Sequence, residues 1–322
     1  MKKLIAIIML AVLAIGAFSA CSVVKDEPDA FRIGTLKGPT GMGMAKMMKD
    51  NEESKEYSFE IFSSPDEIRA ALISGSLDAA ALPVNLAAVI FNKTEGQYKI
   101  AAVNTMGVLY VLEAGDTIHS IEDLRGKTIY ATGQGSTPEY TLRYLLTANG
   151  IDPDNDVVLE FKAEHAEVAT LMSSGDVVLG MLPEPNVTTV LSANPDVRIA
   201  LDLTAEWDKL ENSGKLVQGC VVVSSEFASK YPESVKKMLD QYEASVKFVN
   251  ENLDEASELI ASYGIVPKAA LAKKAIPNCN IVLIRGDEMK TMLNGFFSVL
   301  FNSNPASVGG KLPDESIYIE EK

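Results

Sequence analysis
The sequence predicts a two-lobed α/β protein. Each lobe is a mainly parallel sheet with flanking helices, and a two-strand hinge joins the pair. Three observations predict this. Segment 59–85 (FEIFSSPDEIRAALISGSLDAAALPVN) aligns without a gap on segment 159–185 (LEFKAEHAEVATLMSSGDVVLGMLPEP). Glu60, Glu67, Ser74, Gly75, Leu82 and Pro83 thereby recur as Glu160, Glu167, Ser174, Gly175, Leu182 and Pro183. Each copy switches from strand-like to helix-like periodicity and back, the order that builds right-handed βαβ crossovers. A length of 322 residues exceeds one simple core and fits roughly two units.

The first twenty residues are read apart from the fold. Lys2 and Lys3 precede an apolar run from Leu4 to Phe18, followed by Ser19-Ala20-Cys21. A basic start, a short apolar stretch and small residues before a cut site make a secretory signal over 1–20. The run is short for a membrane span, which needs about 20 apolar residues. A cysteine directly after Ser-Ala resembles a bacterial lipobox, so Cys21 is expected to be acylated and to become the mature N-terminus. Two or more acyl chains hold a protein stably on a membrane. Residues 21–30 are mostly polar or acidic and read as a tether. Losing the two lysines of the signal takes the net charge from −15 to −17 (−15 minus 2).

A strand, loop and helix precede each repeat: FRIGTLKGPTGMGMAKMM at 31–48 and KTIYATGQGSTPEYTLRYLL at 127–146. Within the repeats, Ile68, Ala71 and Leu72, and likewise Val168, Leu171 and Met172, follow helical spacing. The Ser-Gly pair ends each helix. The second strand is a continuous apolar run suited to burial on both faces. Two further strand-like runs lie at 106–112 (MGVLYVL) and 216–223 (LVQGCVVV), with helical stretches at 226–252, 254–263 and 286–301. Nothing after 224 repeats the lobe pattern, so the simplest arrangement returns these helices to the first lobe; the alternative is two sequential domains with an all-helical C-terminal cap. Lobe 1 is then 31–112 with 222–322, and lobe 2 is 113–221, with hinge strands near 109 and 220.

Composition narrows the function. Twenty-nine basic against 44 acidic residues exclude a broad phosphate-gripping surface, so nucleic acid is not an expected partner. The cysteines lack the paired spacing of a zinc site, and no metal or cofactor is expected. Spacing does not set whether Cys220 and Cys279 pair. His119 and His165 leave little material for His-based catalysis. Gly133-Gln134-Gly135-Ser136-Thr137-Pro138 satisfies neither the phosphate-loop nor the dinucleotide pattern.

In open α/β sheets, ligands bind beyond the carboxyl ends of the strands, and in two lobes these ends face each other across a cleft. Free backbone N–H groups and helix dipoles there supply hydrogen bonding. In lobe 1 the candidate ligand-binding residues are Thr40, Gly41, Met42, Ser63, Ser64 and Asn85. In lobe 2 they are Gln134, Gly135, Ser136, Thr137, His165 and Glu184. Several carry a structural reading as well. Ser64 before Pro65-Asp66-Glu67 has a capping-box pattern, and Thr137 before Pro138 reads as an N-cap. Met42 and Met44 suit either an apolar patch of the cleft or the core. A lone His165 is commonly a hydrogen-bonded structural residue. Glu184 suits either an N–H donor on a ligand or the positive end of a helix. No arginine sits in any of these junctions, which favours a small, mostly neutral or heteroaromatic organic solute over an inorganic anion.

The ordered set of Cys21, FRIGTLKGPTG, ALISGSLDAAALPVNLA, MGVLYVL, IEDLRGKTIYATGQGSTPEYTLRYLL and EFASKYPESVKKMLDQYEASVKFVNEN resembles the solute-binding lipoproteins of ABC importers. More narrowly it is similar to the type II periplasmic-binding group that includes nitrate, sulfonate and thiamine-pyrimidine-precursor binders. The resemblance covers essentially the mature chain. It implies a monomer anchored by lipid outside the cytoplasmic membrane, which delivers a small-molecule solute to ABC permease and ATPase subunits. The same fold serves enzymes of pyrimidine and menaquinone-type cofactor biosynthesis, the alternative reading, although the sequence offers no placed base, metal or nucleophile for such chemistry.

Overall fold
The computed structural model describes residues 30–210 and 214–320. The signal segment, the Cys21 acylation site and the tether up to residue 29 therefore lie outside the described residues. Eleven strands are present: β1 (Phe31–Leu36), β2 (Tyr57–Phe62), β3 (Ala79–Pro83), β4 (Tyr98–Met106), β5 (Leu109–Ala114), β6 (Thr128–Thr132), β7 (Val158–Lys162), β8 (Leu179–Pro183), β9 (Val197–Asp202), β10 (Val217–Ser224) and β11 (Ile281–Ile284). They form two sheets, ordered β11-β4-β10-β3-β1-β2 and β7-β6-β8-β5-β9.

The internal repeat is a repeat in space. β2, the helix Pro65–Ile73 and β3 in the first sheet correspond to β7, the helix His165–Ser174 and β8 in the second. Among the named strands, parallel pairing is confined to these repeated parts, where β1 joins β2 and β3, and β6 joins β7 and β8. The remaining pairs, β10 with β3 and β4, β11 with β4, and β5 with β8 and β9, are antiparallel. Each sheet is thus mixed, because only the repeated units carry the helical crossover that a parallel pair needs.

The chain passes between sheets earlier than expected. β5 lies wholly in the second sheet and β10 wholly in the first, so the passages are Gly107-Val108 and the stretch 203–216. Neither strand is shared as a hinge. A strand buried on both faces reads the same in either sheet, so its sequence does not show which one it joins. The first passage depends on glycine: a Cβ at Gly107 would lie 2.1 Å from Thr204 Oγ1, at the start of the second passage.

Three clusters hold the layers. The helix Pro232–Glu251 lays Val235, Met238, Leu239, Tyr242, Val246 and Val249 on one face of the first sheet, over Phe31, Ile33, Ala79 and Ala81. The alternate residues of β3, Ala80 and Leu82, point to the opposite face with Ile68, Leu72 and Ile90. The helix Gly286–Ser303 covers that face with Met289, Leu293, Phe296 and Leu300. The same cluster continues into the second sheet through Leu109, Val111, Ile129, Met181 and Trp207. The far face of the second sheet is closed by Val168, Met172, Val187 and Val190 over Leu112 and Leu182. The helices Pro232–Glu251 and Gly286–Ser303 thus pack on the two faces of the first sheet, and the latter also joins the two lobes through a shared core. Each fully buried side chain of this size contributes about 1.5–3 kcal/mol. Cys220 and Cys279 are free thiols, both buried. Among the described residues, no helix is long and apolar enough to cross a membrane.

Candidate ligand cleft
One hollow, of about 690 Å³, lies within the first lobe at the amino ends of β1, β3 and β4. Its central charges already satisfy each other: Arg32 Nη2 donates to Asp78 Oδ1 at 2.6 Å and Arg32 Nε to Asp78 Oδ2 at 2.9 Å. The second, about 500 Å³, lies at the carboxyl ends of the parallel strands of both sheets. Leu36 and Pro83 end β1 and β3, Ser63 follows β2, Gly133 and Ala163 follow β6 and β7, and Pro183 ends β8. Between the lobes it is lined by Val108 of the first passage, Thr105 of β4, and Gln218 and Gly219 of β10. Gly219 lets β10 and β4 approach, since a Cβ there would meet Asn104 Oδ1 at 2.6 Å. A loop between helices, Gly264 to Pro267, completes the wall with Leu271.

The candidate residues divide into two groups. Thr40, Ser63, Ser136, His165 and Glu184 line this cavity. Thr40 is fixed at both ends: its hydroxyl donates to the Leu36 carbonyl at 3.2 Å, and its carbonyl accepts from the Tyr242 hydroxyl at 3.1 Å. Ser136 donates to the Gly133 carbonyl at 2.7 Å, and it is Ser136 rather than Thr137 that holds the N-cap position of the helix Thr137–Ala148.

The other candidates lie off the wall. Met42 is fully buried in the core, its Sδ 3.8 Å from Cys279 Sγ. Gly41 follows Thr40 in the same short helix and is buried, with a Cβ there coming within 2.6 Å of the Leu36 carbonyl. Ser64 completes the capping box with Glu67. Gln134 is exposed outside the cavity, and the Gly135 N–H donates to Glu139 Oε2 at 2.7 Å.

Asn85 and Thr137 form a buried tie between the lobes. Thr137 Oγ1 donates to Asn85 Oδ1 at 3.0 Å, while Asn85 Nδ2 donates to the carbonyls of Gly135 at 3.3 Å and Ser307 at 3.2 Å. Asn85→Ala strands several buried polar groups at once and is expected to lower stability by about 1–3 kcal/mol. Urea unfolding checks it, and an unchanged midpoint would show that the tie carries no stability.

Besides the exposed Lys37 and Glu164, three less exposed polar side chains line the cavity. Glu184 is 2% exposed, with Thr188 N–H donating to Oε2 at 3.1 Å and Thr188 Oγ1 to Oε1 at 2.9 Å. Burial raises its pKa against the opposing pull of these bonds. His165 opens on the cavity, yet burial pushes its pKa down to about 4, and its Nδ1 shares a hydrogen bond with Thr132 Oγ1. The imidazole is therefore neutral at pH 7. Gln218 is 8% exposed, and its Nε2 is buried without a hydrogen-bond partner. A buried polar group left unpaired costs about 1–3 kcal/mol. Sequence reasoning missed Gln218, although it is the one strongly polar side chain in LVQGCVVV. It also missed the wall at 264–267, which carries no periodic signal.

Two lobes of repeated βαβ units, with their strand ends lining one cavity, define a periplasmic-type solute-binding protein. The chain belongs to the family described as ABC transporter, phosphonate, periplasmic substrate-binding protein, which it matches over residues 44–273, more than half its length. A Brucella abortus (strain 2308) protein whose name describes a binding protein is 25% identical over 205 residues, covering 64% of this chain and 61% of that one. The chain thus matches less than two thirds of the length of these curated relatives. Similar solved structures include an ABC transporter protein from Parabacteroides distasonis, with TM-score 0.76 and 25% identity over 92% of this chain and 100% of that one. The periplasmic aliphatic sulphonate binding protein SsuA from Escherichia coli gives TM-score 0.71 and 18% identity, covering 92% and 95%. The periplasmic nitrate-binding protein NrtA from Synechocystis PCC 6803 gives 0.62 and 14%, covering 88% and 85%. The last two share the fold at identities too low to transfer a ligand.

Proposed function
We propose that this chain is the extracytoplasmic binding component of an ABC importer, capturing a small organic solute between its lobes and passing it to a membrane permease coupled to an ATPase. The observation that carries the reading is the cavity of about 500 Å³ walled by equivalent ends of both repeats. Family membership supports it, and favours binding over catalysis. In this reading acylated Cys21 and the tether keep a monomer at the outer membrane face. Solute engages one lobe, the other closes by movement at the two passages, and differential affinity for the closed state sets the equilibrium.

A thermal-shift screen of small solutes tests this. A solute at one hundred times its Kd adds about 2.7 kcal/mol of stability and raises the melting temperature. A broad screen in which no solute shifts the transition would overturn the reading, and turnover of a bound compound would point to the enzymatic alternative.

A further inference from the structure
The polar groups of the cavity are unequally employed. Each Glu184 oxygen accepts one bond from Thr188, and a carboxylate oxygen has room for another. Gln218 is a lining residue of the cavity, and its side-chain Nε2 is buried with no hydrogen-bond partner. His165 is tied to Thr132 through one ring nitrogen. The one cationic side chain on the wall is the exposed Lys37, and no arginine lines it. A dianionic head group would meet a buried carboxylate with no guanidinium fork to hold it. A carboxamide presents a donor and an acceptor side by side, so its natural complement is a second amide edge.

Resting on the reading of this cavity as the solute site, we propose that Gln218 and Glu184 are its specificity-determining residues and select an uncharged amide-type solute. Gln218 pairs with an adjacent N–H and C=O of the solute, and Glu184 accepts from a further N–H. The apolar wall formed by Pro65, Val266 and Leu271 covers the hydrocarbon part.

Calorimetric titration of the protein with matched probes tests this. Benzamide is compared with phenylphosphonate, and 2-piperidone with methylphosphonate. The amide is expected to bind roughly tenfold or more tightly than its phosphonate counterpart in at least one pair, and Gln218→Leu and Glu184→Gln are each expected to weaken it by roughly tenfold. Gln218→Leu should leave the melting temperature of the ligand-free protein unchanged or raised, a result that a merely structural glutamine would not give. Tighter phosphonate binding, silence toward all four probes, or unchanged amide affinity in Gln218→Leu overturns the assignment. A phosphonate-selective cavity leaves the importer reading intact, whereas that reading fails when the broad solute screen is silent or a bound compound is turned over.

Discussion
Trp207→Ala is expected to lower the unfolding free energy by about 3–5 kcal/mol. Trp207 is fully buried between Tyr144, with ring centroids 4.8 Å apart, and Phe296, at 5.5 Å. Its Nε1–H donates to the Gly214 carbonyl at 3.2 Å. Tyr144 belongs to a helix packed on the second sheet and Phe296 to the helix Gly286–Ser303, so the indole fills the junction where the lobes share a core. Truncation removes a large apolar surface, leaves a void and unpairs a carbonyl. The weakened protein should still melt in one transition, because the damaged cluster spans both sheets. Urea unfolding followed by far-ultraviolet circular dichroism measures the loss. A variant within about 1 kcal/mol of the parent would show that the junction repacks freely.

The second large effect is a pH dependence centred on His165. In the unfolded chain a histidine takes up its proton near pH 6.5, and in the folded protein His165 does so only at about 4. Between these values the unfolded state binds more protons, so this contribution to stability is lost as pH falls from about 6.5 to 4. The loss is on the order of 2–3 kcal/mol when the shift is fully expressed. Glu184 acts in the opposite sense. Its raised pKa makes the ionised form unfavourable in the fold, so this penalty sets in as pH rises above the ordinary carboxyl value and is relieved on acidification. The expected result is a His165→Gln variant whose stability falls less than the parent's between pH 7 and pH 4.5, by about 2 kcal/mol. Equal acid limbs in parent and variant, from urea titrations at both pH values, would rule out the depressed histidine.

The architecture was legible wherever local pattern coincides with tertiary role. The gapless repeat located β2, β3, β7 and β8, because strand, helix and Gly turn each carry their own periodicity or backbone requirement. The sheet membership of β5 and β10 was not legible, since pairing partners of a doubly buried strand are chosen by distant residues. The same limit applies to the site. Strand-end logic placed Thr40, Ser63, Ser136, His165 and Glu184 beside one cavity. It does not distinguish a residue facing the cavity from one turned a third of a helical turn away, and so it grouped Asn85 and Thr137, which tie the lobes together, with the ligand candidates. Gln218 escaped notice because its role depends on the absence of a partner, which only three dimensions reveal.

The two sealed thiols have a practical consequence. Cys220 and Cys279 are both 0% exposed, and burial raises the pKa of each, so among the described residues no native sulfur competes for an alkylating dye. In a protein whose Cys21 is acylated or removed, a single Thr170→Cys change at the cavity rim would then accept a fluorophore alone, and the emission of that label would report solute entry in real time.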